Sequence, residues 1–242
     1  MKIELDTHTH TLASGHAYNT ITEMIDAAVE KGLKLLAITE HAPAMPGSCK
    51  DFYFYNLKIL PRFQKGLELM FGVELNIMDY AGRVDLPERY MDCTDLRIAS
   101  LHPPCITPGS TEENTAAMLG VIHNPYVDIL GHPDDGRYPL DYEKVIVEAK
   151  KYGKIVELNN NSMSPLNSRT NARENDRVIL DLCKKYEVPV VMATDAHASF
   201  MVGDLTQAVQ VAKEADFPEE LLLNDSVEKF KHFLSEGRKR GR

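Results

Sequence analysis

The chain has 242 residues, and its 36 acidic and 27 basic side chains give a formal net charge of −9. This acidic balance, with no long basic segment, argues against a protein that coats nucleic acid. The apolar runs are far shorter than the roughly 20 residues that cross a bilayer, and the N-terminal segment Met1–His10 has no apolar signal region, so we expect a cytoplasmic protein without a membrane contact.

Short apolar runs alternate with amphipathic segments along the chain. The predicted strands are Lys2–Asp6, Lys34–Thr39, Leu69–Glu74, Asp95–Leu101, Val127–Leu130, Lys154–Leu158 and Val188–Ala193. The predicted helices are Thr22–Lys31, Asn56–Lys65, Thr111–Ile122, Asp141–Lys151, Ala172–Tyr186, Asp204–Glu214 and Asp225–Glu236. This alternation is typical of a mostly parallel sheet. The segment 238–242 that follows, which is basic except for Gly241, is expected to form a solvated tail.

Metal-capable or amide side chains follow nearly every predicted strand. In strand order they are His8 and His10, His41, Glu74, His102, His132, Asn159–Asn161, and Asp195 with His197. Successive groups lie about 30 residues apart, the length of one strand–helix unit. The carboxyl ends of all these strands converge on one point only when the sheet closes on itself. The sequence therefore predicts a closed α/β barrel with its site at the C-terminal ends of the strands.

Three of these features indicate metal binding through side-chain direction and charge. His8 and His10 stand two residues apart after a strand, so both can face one metal ion, and Asp195 and His197 repeat this spacing. A carboxylate such as Glu74 inside a barrel mouth needs a cation, since its burial alone would cost several kcal/mol. Each feature also has an ordinary interpretation, a surface histidine pair or an exposed strand end.

Four further histidines extend the pattern. His102 and His132 each end an apolar strand and are each followed by proline, which favours an extended residue before it. His41 closes an apolar strand, and His16 lies in a glycine-containing loop, where a solvated side chain is the simpler interpretation. Together the nitrogen and carboxylate ligands predict a multinuclear metal site suited to Zn²⁺, with Mn²⁺ or Fe²⁺ as alternatives.

These motifs, in this order, resemble the PHP (polymerase and histidinol phosphatase) superfamily over essentially the whole chain. The sequence is similar to its stand-alone, YcdX-like phosphatases rather than to the PHP domains fused to DNA polymerases. The resemblance implies that residues 1–242 form a single domain, a distorted (β/α)7 barrel with three divalent metal ions. It further implies one metal on His8, His10, Glu74 and Asp195, a second on Glu74, His102 and His132, and a third on His16, His41 and His197.

The implied chemistry is hydrolysis of a phosphate monoester by a metal-bridging hydroxide. Three divalent ions, offset by Glu74, Asp195 and that hydroxide, leave a local charge of about +3, which attracts a phosphate dianion. Arg169 is a candidate to bind a phosphate oxygen, with a solvated loop arginine as the alternative. Asp6 and Glu40 are expected to orient metal-binding histidines.

Other functions remain open at this point. A histidinol-phosphate phosphatase shares the barrel and the metals, although such enzymes tend to be longer. An amidohydrolase would use a mono- or binuclear site and leave His16, His41 and His197 without a role. A non-enzymatic metal-dependent module should show broken ligand positions, and a nuclease should show a basic stripe. The partner is expected to be a small phosphorylated substrate, and the resemblance suggests a homo-oligomer, a trimer.

Overall fold

A computed structural model describes residues 1–240. The strands are β1 (Leu5–Asp6), β2 (Leu35–His41), β3 (Phe63–Gln64), β4 (Leu67–Asn76), β5 (Arg97–Ser100), β6 (Ile129–Leu130), β7 (Ile155–Asn159) and β8 (Val190–Ala193). The helices are α1 (Ile21–Glu30), α2 (Asp51–Asn56), α3 (Glu88–Met91), α4 (Thr111–His123), α5 (Tyr142–Tyr152), α6 (Ala172–Tyr186), α7 (Thr206–Glu214) and α8 (Val227–Arg240). No helix among these residues is long and apolar enough to span a membrane.

Seven parallel strands follow one another around a nearly closed barrel in the order β1-β2-β4-β5-β6-β7-β8. The remaining strand, β3, forms an antiparallel hairpin with the start of β4. Helices follow the parallel strands and cover the outside, as in other βα barrels. The predicted distorted (β/α)7 barrel is confirmed.

The seam between β1 and β8 is closed by one direct parallel bridge, by the backbone of residues 222–224 and by side chains. The bridge joins Thr9 to Ala196, beyond the ends of the two strands. Below it, the Asn224 side chain lies between the strands: its amide oxygen accepts the Met192 N–H at 2.7 Å, and its amide nitrogen donates to the carbonyls of Met192 at 2.8 Å and Leu5 at 3.2 Å. Hydrogen bonds that a ladder would normally supply are thus made by an asparagine.

The Asp6 carboxylate closes the same seam nearer the mouth. It accepts the Thr194 N–H at 3.1 Å and the Thr194 hydroxyl at 2.6 Å. It also accepts the backbone N–H of Gly203 at 3.1 Å. Asp6 also accepts the backbone N–H of His8 at 3.5 Å. It therefore contacts a predicted ligand only through the main chain, and the expectation that it orients a histidine ring is wrong.

The barrel interior is apolar at the bottom and polar at the top. Its lower part is filled by Leu35, Ile98, Ile155 and Val191, which pack against Phe230 of α8. Because side chains two residues apart in a strand share a face, the positions above them bring polar side chains into the barrel mouth. A second, larger apolar cluster lies between the sheet and the surrounding helices.

Two sequence expectations differ from the structure. The helix predicted at Asn56–Lys65 is wrong, because Pro61 cannot continue a helix and the turn at residues 65–66 leads from β3 into β4. The segment 238–240 is helical, since α8 continues to Arg240, and its expected solvation holds for exposed Lys239 and Arg240 but is wrong for Arg238. Arg238 holds buried Asp128 through two contacts of 2.8 Å. Residues 241–242 lie outside the described part of the chain. The other predicted elements each overlap an observed one.

Candidate metal centre

The predicted ligands converge at the C-terminal ends of the barrel strands. Glu74 lies near the end of β4 and His41 ends β2, and both are buried. The others follow strand ends, and those buried in the mouth are His8, His10, His102, His132 and Asp195. His197 is 20% exposed, and His16 lies in the exposed loop between β1 and α1.

Glu74 stands at the middle of this group. Its Oε1 lies 2.9 Å from His132 Nε2 and 3.1 Å from His102 Nε2. Its Oε2 lies 2.7 Å from His41 Nδ1 and 3.2 Å from His8 Nε2. Oε2 also lies 3.5 Å from His10 Nε2. Each carboxylate oxygen therefore faces a different set of imidazoles, the arrangement that a carboxylate shared between two cations requires.

Asp195 supplies the second carboxylate, on the opposite side of the mouth. Its Oδ1 lies 3.3 Å from His10 Nε2 and 3.5 Å from His197 Nδ1. Its backbone φ of 52° is unusual for a residue other than glycine. This left-handed conformation follows directly after β8 and directs the side chain into the mouth.

His16, His41 and His197 meet on the most open side. The His16 ring centroid lies 4.8 Å from those of His41 and His197. The possible ligand atoms of His10, His41 and His197 all lie within 4.8 Å of one another. His16 contacts His41 and His197 through its ring and lies at the rim of the barrel mouth.

The buried nitrogen and oxygen atoms of the mouth are arranged to bind metal ions rather than to form hydrogen bonds with one another. His8 Nε2, His10 Nε2, His41 Nδ1 and Glu74 Oε2 are buried, and their short contacts with one another lack hydrogen-bond geometry, so none of these atoms has a hydrogen-bond partner. An unsatisfied buried polar atom costs about 1–3 kcal/mol, and cations bound among these atoms would remove that cost. Imidazole nitrogens with carboxylate oxygens and no thiolate suit Zn²⁺, Mn²⁺ or Fe²⁺.

The pKa shifts differ among the histidines of the mouth, whereas both carboxyls are favoured in the ionised form. Burial, together with neighbouring histidines, lowers the pKa of His10 well below its ordinary value and that of His16 to about 4. Burial opposes ionisation of Glu74 and Asp195, yet His8 and the other positive groups around them hold the pKa of both carboxyls well below the usual range. Burial likewise opposes a charge on His8, but Glu157, Glu74 and Asp195 raise its pKa. The carboxylates therefore favour positive charge at His8, while His10 and His16 are favoured as neutral rings.

Several ring orientations are fixed by residues that the sequence analysis did not identify. They are Glu157, whose Oε1 lies 2.7 Å from His8 Nδ1, Asn76, whose Oδ1 lies 2.7 Å from His102 Nδ1, and Ser14, whose Oγ lies 3.1 Å from His10 Nδ1. Glu40 accepts the Ser14 hydroxyl at 2.6 Å, so its expected effect on a histidine is exerted through Ser14. Glu157 could have been identified from the sequence, because it is a glutamate inside the apolar run of β7. No sequence signal points to Asn76 or Ser14.

Arg169 is buried against the centre. Its Nη2 donates to Asp195 Oδ2 at 3.0 Å, and its Nη1 donates to Ser162 Oγ at 3.0 Å and Asn159 Oδ1 at 3.2 Å. Its side chain is only 9% exposed, so the alternative of a solvated loop arginine is wrong. The guanidinium brings a permanent positive charge to the edge of the mouth.

Comparison with known proteins identifies the family. A family model described as the PHP domain matches residues 6–237. The chain belongs to the PHP domain family. This PHP domain is 47% identical over 241 residues to a probable phosphatase of Thermoanaerobacter sp. (strain X514), covering 99% of this chain and 98% of that protein. It is 45% identical over 234 residues to a probable phosphatase of Clostridium novyi (strain NT), covering 97% and 95%.

Solved structures share the barrel of this PHP domain. The histidinol phosphate phosphatase of Lactococcus lactis, in complex with zinc, L-histidinol and phosphate, superposes with a TM-score of 0.65 at 17% identity, covering 90% of this chain and 95% of that one. A chain of archaeal ribonuclease P with mature tRNA superposes with a TM-score of 0.58 at 17% identity, covering 97% and 91%. The predicted family, barrel and phosphatase class are confirmed.

Proposed function

We propose that this PHP domain hydrolyses phosphate monoesters of small molecules at a centre of three divalent metal ions, with zinc as the preferred metal. The observation that carries the proposal is Glu74, whose two oxygens face separate sets of histidines, several of them with buried nitrogens that lack hydrogen-bond partners. Lone-pair donors arranged around a shared carboxylate favour adjacent cations.

The proposed ligand sets are those that the family resemblance implies, and His41 Nδ1 lies close to Glu74 Oε2 as well, at 2.7 Å. His8, His10, Glu74 and Asp195 would hold one ion, and Glu74, His102 and His132 a second. His16, His41 and His197 would hold the third, at the open side. When bound, such ions stabilise charge on phosphoryl oxygens and activate a water molecule for attack on phosphorus.

The chain's own residues prepare the site for a phosphate. Glu74 and Asp195 stay ionised and keep their ligand oxygens available, as their lowered pKa values indicate. Ser14 and Asn76 orient the rings of His10 and His102. Arg169, held by Asp195, Ser162 and Asn159, adds positive charge at the edge and could bind a nonbridging phosphate oxygen. We assign no residue to protonate the leaving group.

The most exposed ligands, His16 and His197, indicate the side from which the phosphate enters. The L-histidinol in the Lactococcus lactis structure belongs to a protein that shares only 17% of its sequence with this chain. Histidinol phosphate is therefore one substrate to test, while the trimer and the cytoplasmic location stay predictions.

Elemental mass spectrometry of protein purified without chelator tests this proposal, together with a screen of phosphate monoesters. We expect about three metal ions per chain and release of inorganic phosphate that a chelator abolishes and added zinc or manganese restores. About two ions per chain would favour a binuclear, amidohydrolase-type site. A value near zero that added metal does not raise would refute the metal centre.

A further inference from the structure

Glu157 lies in the barrel interior beneath the metal centre, and its side chain is completely buried. It shares a face of β7 with Ile155, which packs in the apolar lower part of the barrel, and with Asn159 at the mouth. A carboxylate at this depth needs strong partners, since burial of an uncompensated charge costs several kcal/mol. Each of its two oxygens has such partners.

The Oε2 atom of Glu157 receives two hydrogen bonds whose direction is fixed. The backbone N–H of His132 donates to it at 2.7 Å, and the side-chain amide of Asn159 donates at 3.0 Å. His132 has a backbone φ of 28°, a left-handed conformation that costs energy for any residue other than glycine. This hydrogen bond to Glu157 therefore holds the main chain of His132 in the position from which its Nε2 atom lies 2.9 Å from Glu74 Oε1.

The Oε1 atom of Glu157 lies 2.7 Å from Nδ1 of His8. A carboxylate only accepts hydrogen bonds, so this contact places a proton on Nδ1. The neutral His8 ring then carries its lone pair on Nε2, which faces Glu74 at 3.2 Å and Asp195 at 3.7 Å. This nitrogen is buried without a hydrogen-bond partner.

We propose that Glu157 is a positioning residue that sets the ligands on both sides of Glu74 at once, fixing the Nδ1–H tautomer of His8 and the strained backbone of His132. The inference depends on the proposed metal centre and not on the identity of the substrate. One carboxylate would thus prepare two neighbouring metal sites before either ion arrives. A carboxylate behind a metal-binding histidine commonly changes metal affinity about 10- to 100-fold.

Glu157→Gln separates this role from simple filling of space, because the two side chains have nearly the same shape. The single amide oxygen of glutamine must accept from the fixed donors of His132 and Asn159. Its NH₂ group then faces Nδ1 of His8, which has to accept a hydrogen bond and moves its proton to Nε2. That proton blocks the nitrogen that would bind metal.

Two measurements test the effect of Glu157→Gln on His8 and on zinc binding. Long-range ¹H–¹⁵N NMR of the metal-free protein should show His8 as the Nδ1–H form, or as the imidazolium, in the wild type and as the Nε2–H form in Glu157→Gln. Zinc competition against a chromophoric chelator should show affinity about 10- to 100-fold lower at one or two of the sites. Glu148→Gln is the matched control, because Glu148 contacts His123 at 3.1 Å on the surface, far from the barrel mouth; neither signal should change.

The possible results either overturn the inference or leave it standing. An unchanged His8 tautomer in Glu157→Gln overturns the inference even if zinc binding weakens, since the loss would then come from packing. If the variant does not fold, zinc-loaded wild-type protein decides instead: His8 must keep a proton on Nδ1, and a proton on Nε2 overturns the inference. Zinc binding without hydrolysis of any ester would remove the proposed phosphatase function and leave this inference standing.

Discussion

Asn224 offers a direct test of how the barrel is closed. Asn224→Ala removes the amide that accepts from the Met192 N–H at 2.7 Å and donates to the carbonyls of Met192 at 2.8 Å and Leu5 at 3.2 Å. Asn224 is only 1% exposed, so water cannot easily replace the lost groups. One buried donor and two buried acceptors would be left without this partner.

The expected loss follows from these three bonds. A hydrogen bond contributes about 1 kcal/mol net, and a buried group left unsatisfied costs about 1–3 kcal/mol. Allowing for the long bond to Leu5, we expect Asn224→Ala to lower the free energy of unfolding by about 3–5 kcal/mol. Such a loss is a large part of the 5–15 kcal/mol that typically separates folded from unfolded protein.

Urea unfolding followed by circular dichroism measures this loss. Asn175→Ala is the matched control, because the Asn175 side chain makes a single 2.8 Å hydrogen bond, to the Asp134 carbonyl, and should cost about 1 kcal/mol. Metal content per folded chain should stay the same in both variants. Equal losses in the two variants would refute the argument that a side chain replaces a strand ladder at the seam.

Three further predictions concern the site and the last helix. His132→Ala should lower phosphatase kcat by orders of magnitude, whereas exposed His232→Ala should change it little; equal losses would contradict the ligand assignment. Arg238→Ala should cost about 2 kcal/mol in urea unfolding, because buried Asp128 loses two 2.8 Å contacts; a loss below about 0.5 kcal/mol would indicate a solvated residue. Arg169→Lys should raise KM for a phosphate ester about tenfold with metal content unchanged, and loss of metal instead would mean that the arginine only positions its carboxylate partner.

The barrel and its ligands could be predicted because their signals are local. Each of His41, Glu74 and Asp195 follows or ends an apolar strand, and the carboxyl ends of parallel strands lie together in a closed barrel. Residue type and strand position were therefore enough to locate the centre. No loop conformation had to be known in order to predict the position of the centre.

The surrounding contacts depend on long-range geometry and could not be predicted in the same way. Ser14 reaches His10 only because a short loop turns back over the mouth. Arg169 reaches Asp195 across 26 positions of the sequence. Asp6 looked like a partner for a histidine, but the seam beside it left backbone N–H groups that it satisfies instead. The burial of Arg238 against Asp128 could not be predicted either, because Asp128 lies 110 positions away in the sequence.

The seam has a consequence for the order in which the protein can form. Its bonds join the two ends of the chain, as Asp6 and Thr194, 188 positions apart, illustrate. His8 and His10 stand on one side of this junction and Asp195 and His197 on the other, so ions bound between them would fasten the first strand to the last. A growing chain must therefore be synthesised almost to its end before the proposed centre can be completed, and ions held across the seam would act on the final closure of the barrel.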